Sequence, residues 1–123
     1  MSVAPKLAPW PADLAFDRAG KSLHISFDDG AAFDIPFELL RVNSPSAEVR
    51  GHRASEAKLV PGKRNVGVTR AEPVGRYAVR IVFDDGHDSG LYSWALLYEL
   101  GRDKSRKMSA YLDALAQQGA SRD

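Results

Sequence analysis

At 123 residues, with 44% hydrophobic and 27% charged residues and a net charge of +1, the chain has the size and composition of one globular domain. It contains no cysteine, which excludes disulfides, thiolate metal sites and cysteine nucleophiles. It has no apolar run of about 18 residues and no apolar stretch behind Met1, so neither a membrane span nor a secretory signal is expected, and the chain reads as cytoplasmic.

Met1–Pro9 and Ala120–Asp123 are expected as flexible ends of a domain spanning residues 10–119. A first strand is expected over Asp13–Phe16. Leu23, Ile25 and Phe27 then alternate with His24 and Ser26, the period-2 pattern of a strand with one buried face. Asp28-Asp29-Gly30 is a hairpin signal, because glycine accepts the positive φ of such turns. The return strand is Ala32–Ile35, followed by a short helix over Pro36–Arg41. Pro36 sits near the first helical position, where a missing N–H costs little. Asn43–Asn65 carries Pro45, Gly51, Pro61 and Gly62 and no sustained periodicity. It reads as a long ordered loop with at most one helical turn, a length that is often functional in a compact domain.

A strand near Val66–Ala71 follows, and Glu72-Pro73-Val74-Gly75 turns it into the next. There Tyr77, Val79, Ile81 and Phe83 alternate with Ala78, Arg80 and Val82, which places the first four on a buried face. Asp84-Asp85-Gly86 is the next turn, Asp88–Leu91 the return strand, and Ser93–Gly101 a helix capped by Ser93 and ended by Gly101. Trp94 and Tyr98 on this helix read as core or near-core packing. The last helix, Lys104–Gln118, aligns Met108, Tyr111, Leu112 and Leu115 in one stripe, and Gly119 stops it.

One segment echoes another. Ile25-Ser-Phe-Asp-Asp-Gly30 recurs as Ile81-Val-Phe-Asp-Asp-Gly86, and each copy opens a β-β-α unit. Similar turns are a simpler reading of this echo than duplication, and two copies are too few for a solenoid. The expected fold class is α+β: a small, mostly antiparallel sheet built from β-hairpins, with short helices and a C-terminal amphipathic helix.

Known catalytic patterns are missing. His24, His52 and His87 are followed two positions later by Ser26, Ala54 and Ser89, so none starts a two-histidine, one-carboxylate iron motif. Gly62-Lys63-Arg64 is no P-loop, and no Gly-x-Ser-x-Gly elbow occurs. The chain is therefore expected not to be an enzyme. His87, among Asp84, Asp85 and Asp88, could bind metal or rigidify its hairpin; the second is favoured, because a metal needs more ligands than the sequence places there. Arg41 to Arg70 holds seven Arg/Lys against two acids, Glu48 and Glu56. Arg50, Arg53, Lys58, Lys63 and Arg64 could meet phosphates. Residues 41–70 offer no aromatic for base stacking, which disfavours nucleic acid and leaves open a small anion or an acidic protein patch.

Three stretches carry a family resemblance: Leu40-Arg-Val-Asn-Ser-Pro-Ser-Ala-Glu-Val-Arg-Gly-His52, Glu72-Pro-Val-Gly-Arg-Tyr-Ala-Val79 and Phe83-Asp-Asp-Gly-His-Asp-Ser-Gly-Leu-Tyr-Ser-Trp94. Over about Leu14–Leu115 the chain resembles the gamma-butyrobetaine hydroxylase-like N-terminal domain family. The resemblance implies a compact α+β domain. In gamma-butyrobetaine hydroxylase and its trimethyllysine relative this domain precedes a dioxygenase barrel, helps form the dimer and holds a structural zinc through three cysteines and a histidine. The domain also occurs on P-loop iron–sulfur carrier ATPases, and alone in bacteria without an established activity.

The family's cysteine positions fall on Ser44, Ser46 and Val49, and its histidine position on His87. Valine cannot ligate, and a neutral serine binds zinc poorly beside a thiolate. A degenerate zinc site with no cofactor is expected, His87 being the one retained ligand position. The Ser44–His52 loop is expected to pack on the His87 hairpin without metal. The implied function is a non-catalytic binding or adaptor domain with a protein partner and no membrane role. Its candidate surface is Arg41, Ser44, Ser46, Glu48, Arg50, His52, Arg53, Asp85 and His87. The alternative is a metal-binding protein of iron–sulfur or small-molecule metabolism that uses His87.

Overall fold

The computed structural model describes residues 9–44, 62–87 and 90–123. In chain order these form strands β1 (Pro11–Asp17), β2 (Ser22–Phe27) and β3 (Ala32–Pro36), helix α1 (Phe37–Val42), strands β4 (Val68–Val74), β5 (Ala78–Phe83) and β6 (Gly90–Ser93), and helices α2 (Trp94–Arg102) and α3 (Lys104–Gln117). The class is α+β, and every strand pairing is antiparallel. The hairpins do not merge into one sheet. They form two three-stranded sheets, ordered β1-β2-β3 and β4-β5-β6. Among the described residues no helix is long and apolar enough to cross a membrane.

The echo in the sequence is a repeat of β-β-β-α, one strand longer than the expected unit. Each copy begins with a strand carrying a register shift, between Pro11 and Asp13 in β1 and between Val68 and Arg70 in β4. The two Asp-Asp-Gly turns match bond for bond. Asp28 N–H donates to Trp10 O at 2.8 Å, and Asp84 N–H to Gly67 O at 2.8 Å. Phe27 N–H donates to Ala31 O, and Phe83 N–H to His87 O. Gly30 and Gly86 hold φ of 91° and 93°, the left-handed region that such turns need and glycine adopts without strain. Each helix is also joined to its own sheet alike: Phe37 N–H donates to Lys21 O, and Trp94 N–H to Tyr77 O.

One core serves both copies. Leu23, Ile25 and Phe27 of β2 and Val79, Ile81 and Phe83 of β5 are buried, as period-2 alternation requires. Phe37, Leu39 and Leu40 of α1 and Leu97 and Leu100 of α2 join the same cluster. Each large apolar side chain buried there stabilises by roughly 1.5–3 kcal/mol. Trp94 and Tyr98 pack against it, as expected. Tyr111 and Leu115 are the buried part of the α3 stripe, and Gly119, at φ 66°, follows its end.

Three expectations fail for local reasons. Tyr77 does not join the buried face; it is 71% exposed, because β5 starts one residue later and Tyr77 belongs to the preceding turn. Gly101 does not end α2. It is a buried residue of the last turn, where a Cβ would lie 2.3 Å from the Phe33 ring, so close packing requires it rather than termination. Glu72-Pro73-Val74 is strand, not turn, because β4 runs to Val74 and Pro73 sits on an edge strand. Of the Asn43–Asn65 loop, Pro45–Pro61 lies outside the described residues, as do Ser46, Glu48, Val49, Arg50, His52 and Arg53 among the candidate positions.

Candidate functional site

The second Asp-Asp-Gly turn is the centre of a polar cluster. Helix α1 delivers Arg41 in its last turn and Ser44 just beyond it. Asn43 shapes that exit: its N–H and its side-chain amide both donate to Leu39 O, at 3.2 and 3.0 Å. Arg41 Nε then donates to Asp85 Oδ2 at 2.9 Å, and Lys63 Nζ reaches the same oxygen at 2.6 Å. Asp85 Oδ1 accepts from the His87 N–H at 3.1 Å, closing the turn on itself. The three side chains are only 15–20% exposed, so these pairs are screened less than surface ion pairs. Burial by itself would raise the Asp85 carboxyl. The Lys63 ammonium, the His87 N–H and the Arg41 guanidinium outweigh it and hold the group down at about 2.

Next to this carboxylate, Ser44 Oγ and His87 Nε2 form a 2.8 Å hydrogen bond, and the His87 ring lies against Phe83 with centroids 6.1 Å apart. The Tyr92 hydroxyl donates to Leu40 O beneath them, and burial pushes this phenol up. Gly90 makes room for the group: a Cβ there would sit 2.9 Å from Ser44 Oγ and 2.8 Å from the Tyr92 ring. Beside Lys63 and Asp85 opens a cleft of about 230 Å³, whose walls include Asp84, Arg122 and Asp123.

Thus Arg41, Ser44, Asp85 and His87, four of the expected surface residues, stand together. Lys63 completes the cluster but reads in the sequence only as one more loop cation. Glu38, Arg122 and Gly90 have no motif that would single them out. Arg122 forms a two-pronged pair with Glu38, at 3.0 and 2.6 Å, across a separation of 84 residues. A second polar group lies on the outer face of the first sheet. His24 pairs with Asp34 through Nδ1 and stands 3.5 Å from Asp17 through Nε2. The bond to Asp34 pushes the His24 imidazole up, and the Gly20 N–H with the His24 ring holds Asp17 down.

A model of the gamma-butyrobetaine hydroxylase-like N-terminal family matches residues 14–98. The chain belongs to this family. Two NMR solution structures are similar to this family member. One is 45% identical, with a TM-score of 0.83 over 94% of this chain and 91% of the other. The second is 46% identical, with a TM-score of 0.82 over 98% and 91%. A 1.93 Å crystal structure from Acidithiobacillus ferrooxidans ATCC 23270, described as a DUF971-family protein of unknown function, is 32% identical, with a TM-score of 0.63 over 74% of this chain and 91% of that one. Among curated proteins nothing matches the chain.

The zinc that the family resemblance implies can be tested against the donors present. Ser44 offers a neutral hydroxyl whose oxygen is hydrogen-bonded to the His87 ring nitrogen. Val49 offers no donor, and the chain has no thiolate. Among the described residues no three His, Asp or Glu side chains converge as a metal site would need. The donor set does not fit a thiolate zinc centre.

Proposed function

We propose that the chain is a non-catalytic binding module that engages a protein partner through the face around Asp85. The observation that carries this is the double anchoring of Asp85 by Arg41 and Lys63. These cations, with Ser44 on His87, tie residues on both sides of the Pro45–Pro61 segment to one hairpin. A carboxylate held at about 2 is a poor general base at neutral pH, whereas it is a good fixed anchor. The intervening segment carries Arg50, Arg53 and Lys58 against Glu48 and Glu56, a small basic excess that suits an acidic protein surface. The test is affinity capture with the full chain. Arg50→Glu with Arg53→Glu is expected to reduce recovery of the captured protein at least several-fold, and Arg80→Glu, an exposed position on β5, to leave it unchanged. Equal recovery by all three proteins would remove this face from consideration.

One observation favours a second reading. The 2.8 Å Ser44–His87 contact has the length of a nucleophile–base pair. A fluorophosphonate probe decides between them. The binding reading expects Ser44 to stay unlabelled; labelling of Ser44 that disappears in His87→Ala would establish the hydrolytic one.

A further inference from the structure

Glu38 is the one charged side chain buried among the described residues, at 5% exposure. It lies in the first turn of α1 and accepts both prongs of the Arg122 guanidinium. Arg122 belongs to a short arm. After α3 the chain turns at Gly119, and Ala120 N–H donates back to Leu115 O. The arm then runs beside residues 62–64: Gly62 N–H donates to Ser121 O and Arg64 N–H to Arg122 O, both at 2.9 Å. Arg64 also pairs with Asp123 at 2.6 Å. These last residues, expected as a flexible end, are thus bonded to a backbone edge and to a buried carboxylate.

This is how an extended peptide binds a protein: backbone bonds along an edge give attachment, and one side chain in a pocket gives specificity. The arm itself is lightly held. Ser121 and Asp123 are exposed, and no buried apolar residue lies beyond Leu115. Simple opening is nevertheless disfavoured, because it leaves a buried carboxylate without its counter-charge, with the Tyr111 hydroxyl still beside it. Exchange carries no such penalty. An incoming segment with a guanidinium satisfies Glu38 as the arm does, and the cleft of about 230 Å³ lined by Gly62, Lys63, Asp84 and Arg122 leaves room for flanking residues. We propose that Glu38 and the 62–64 edge form a docking site for an extended, arginine-bearing segment of another protein, and that Ser121–Asp123 occupies it in the resting chain. Lysine is a poor substitute, because a single ammonium cannot match both carboxylate oxygens in the planar fork. The site does not depend on the Asp85 face being a partner surface.

The test is rescue of full-length Arg122→Ala by the acetylated tetrapeptide Ala-Ser-Arg-Asp. The variant is expected to melt below the wild type, and the peptide to raise its melting temperature while shifting the Gly62 and Arg64 amide resonances. Ala-Ser-Lys-Asp is expected to need about ten-fold more peptide for the same effect, and the wild type to need more of the arginine peptide than the variant. Equal action of the two peptides, or no shift at Gly62 and Arg64, overturns the proposal. Should Arg122→Ala not fold alone, the wild type carries the test: excess arginine peptide must displace Arg122 and perturb those two amides, and their indifference refutes the site.

Discussion

Asp85 and Asp29 occupy the same place in the two turns and hold it by the same bond. Asp29 Oδ1 accepts from the Ala31 N–H, as Asp85 Oδ1 accepts from the His87 N–H. They differ in what fills the other oxygen. Asp29 takes the neutral Tyr98 hydroxyl at 2.7 Å, whereas Asp85 takes two cations. Its acid response follows. A carboxyl ordinarily near 3.8 and held at about 2 in the folded chain contributes stability that is complete above pH ~4 and is lost as pH falls toward 2. Asp85→Asn is expected to cost about 2 kcal/mol at neutral pH and to flatten the loss between pH ~4 and ~2, measured by urea unfolding across that range. At this scale the site was half legible. His87, Asp85 and Ser44 could be located from turn chemistry and the family pattern. Lys63 could not, because nothing local distinguishes the cation that reaches a carboxylate 22 positions away from Arg64 beside it, which pairs with Asp123 instead.

Elements were legible where their signal is local. The alternation of β2 and β5, the Asp-Asp-Gly turns and the α3 stripe all follow from backbone period and turn geometry. Ser93 caps α2 as expected, accepting from Leu96 N–H at 3.1 Å. Gly101 shows where such reasoning ends. Glycine after a helical pattern reads as a stop, yet here it lets α2 press against Phe33 of β3. The two readings differ in sign. In an open helix interior Gly→Ala gains about 1 kcal/mol from propensity. Against Phe33, Gly101→Ala is expected instead to lose about 1–3 kcal/mol through overpacking. Thermal denaturation of the variant checks this, and a stabilised Gly101→Ala would contradict the contact.

At the scale of the molecule the two β-β-β-α copies are clasped crosswise. Arg41, from the helix of the first, holds Asp85 in the turn of the second; Tyr98, from the helix of the second, holds Asp29 in the turn of the first. Their apolar faces share one cluster. The copies are therefore expected to unfold together. Ile81→Ala, fully buried in β5, is expected to cost about 2–5 kcal/mol and to lower hydrogen-exchange protection in β2 as much as in β5. Undiminished protection in β2 would mean that the copies unfold separately.

By itself the sequence determined the α+β class, the two equivalent turns and, Tyr77 apart, which residues of the β2 and β5 alternation face inward, because each rests on bonds or periods spanning a few positions; the family was legible from the resemblance of three longer stretches. The tertiary structure alone decided that the strands split into two sheets, that each helix reaches the other copy's turn, and that Arg122 meets Glu38. Those outcomes depend on pairings between distant residues. Many cations and carboxylates along the chain could form such pairs equally well, and only the packing of the shared core selects among them.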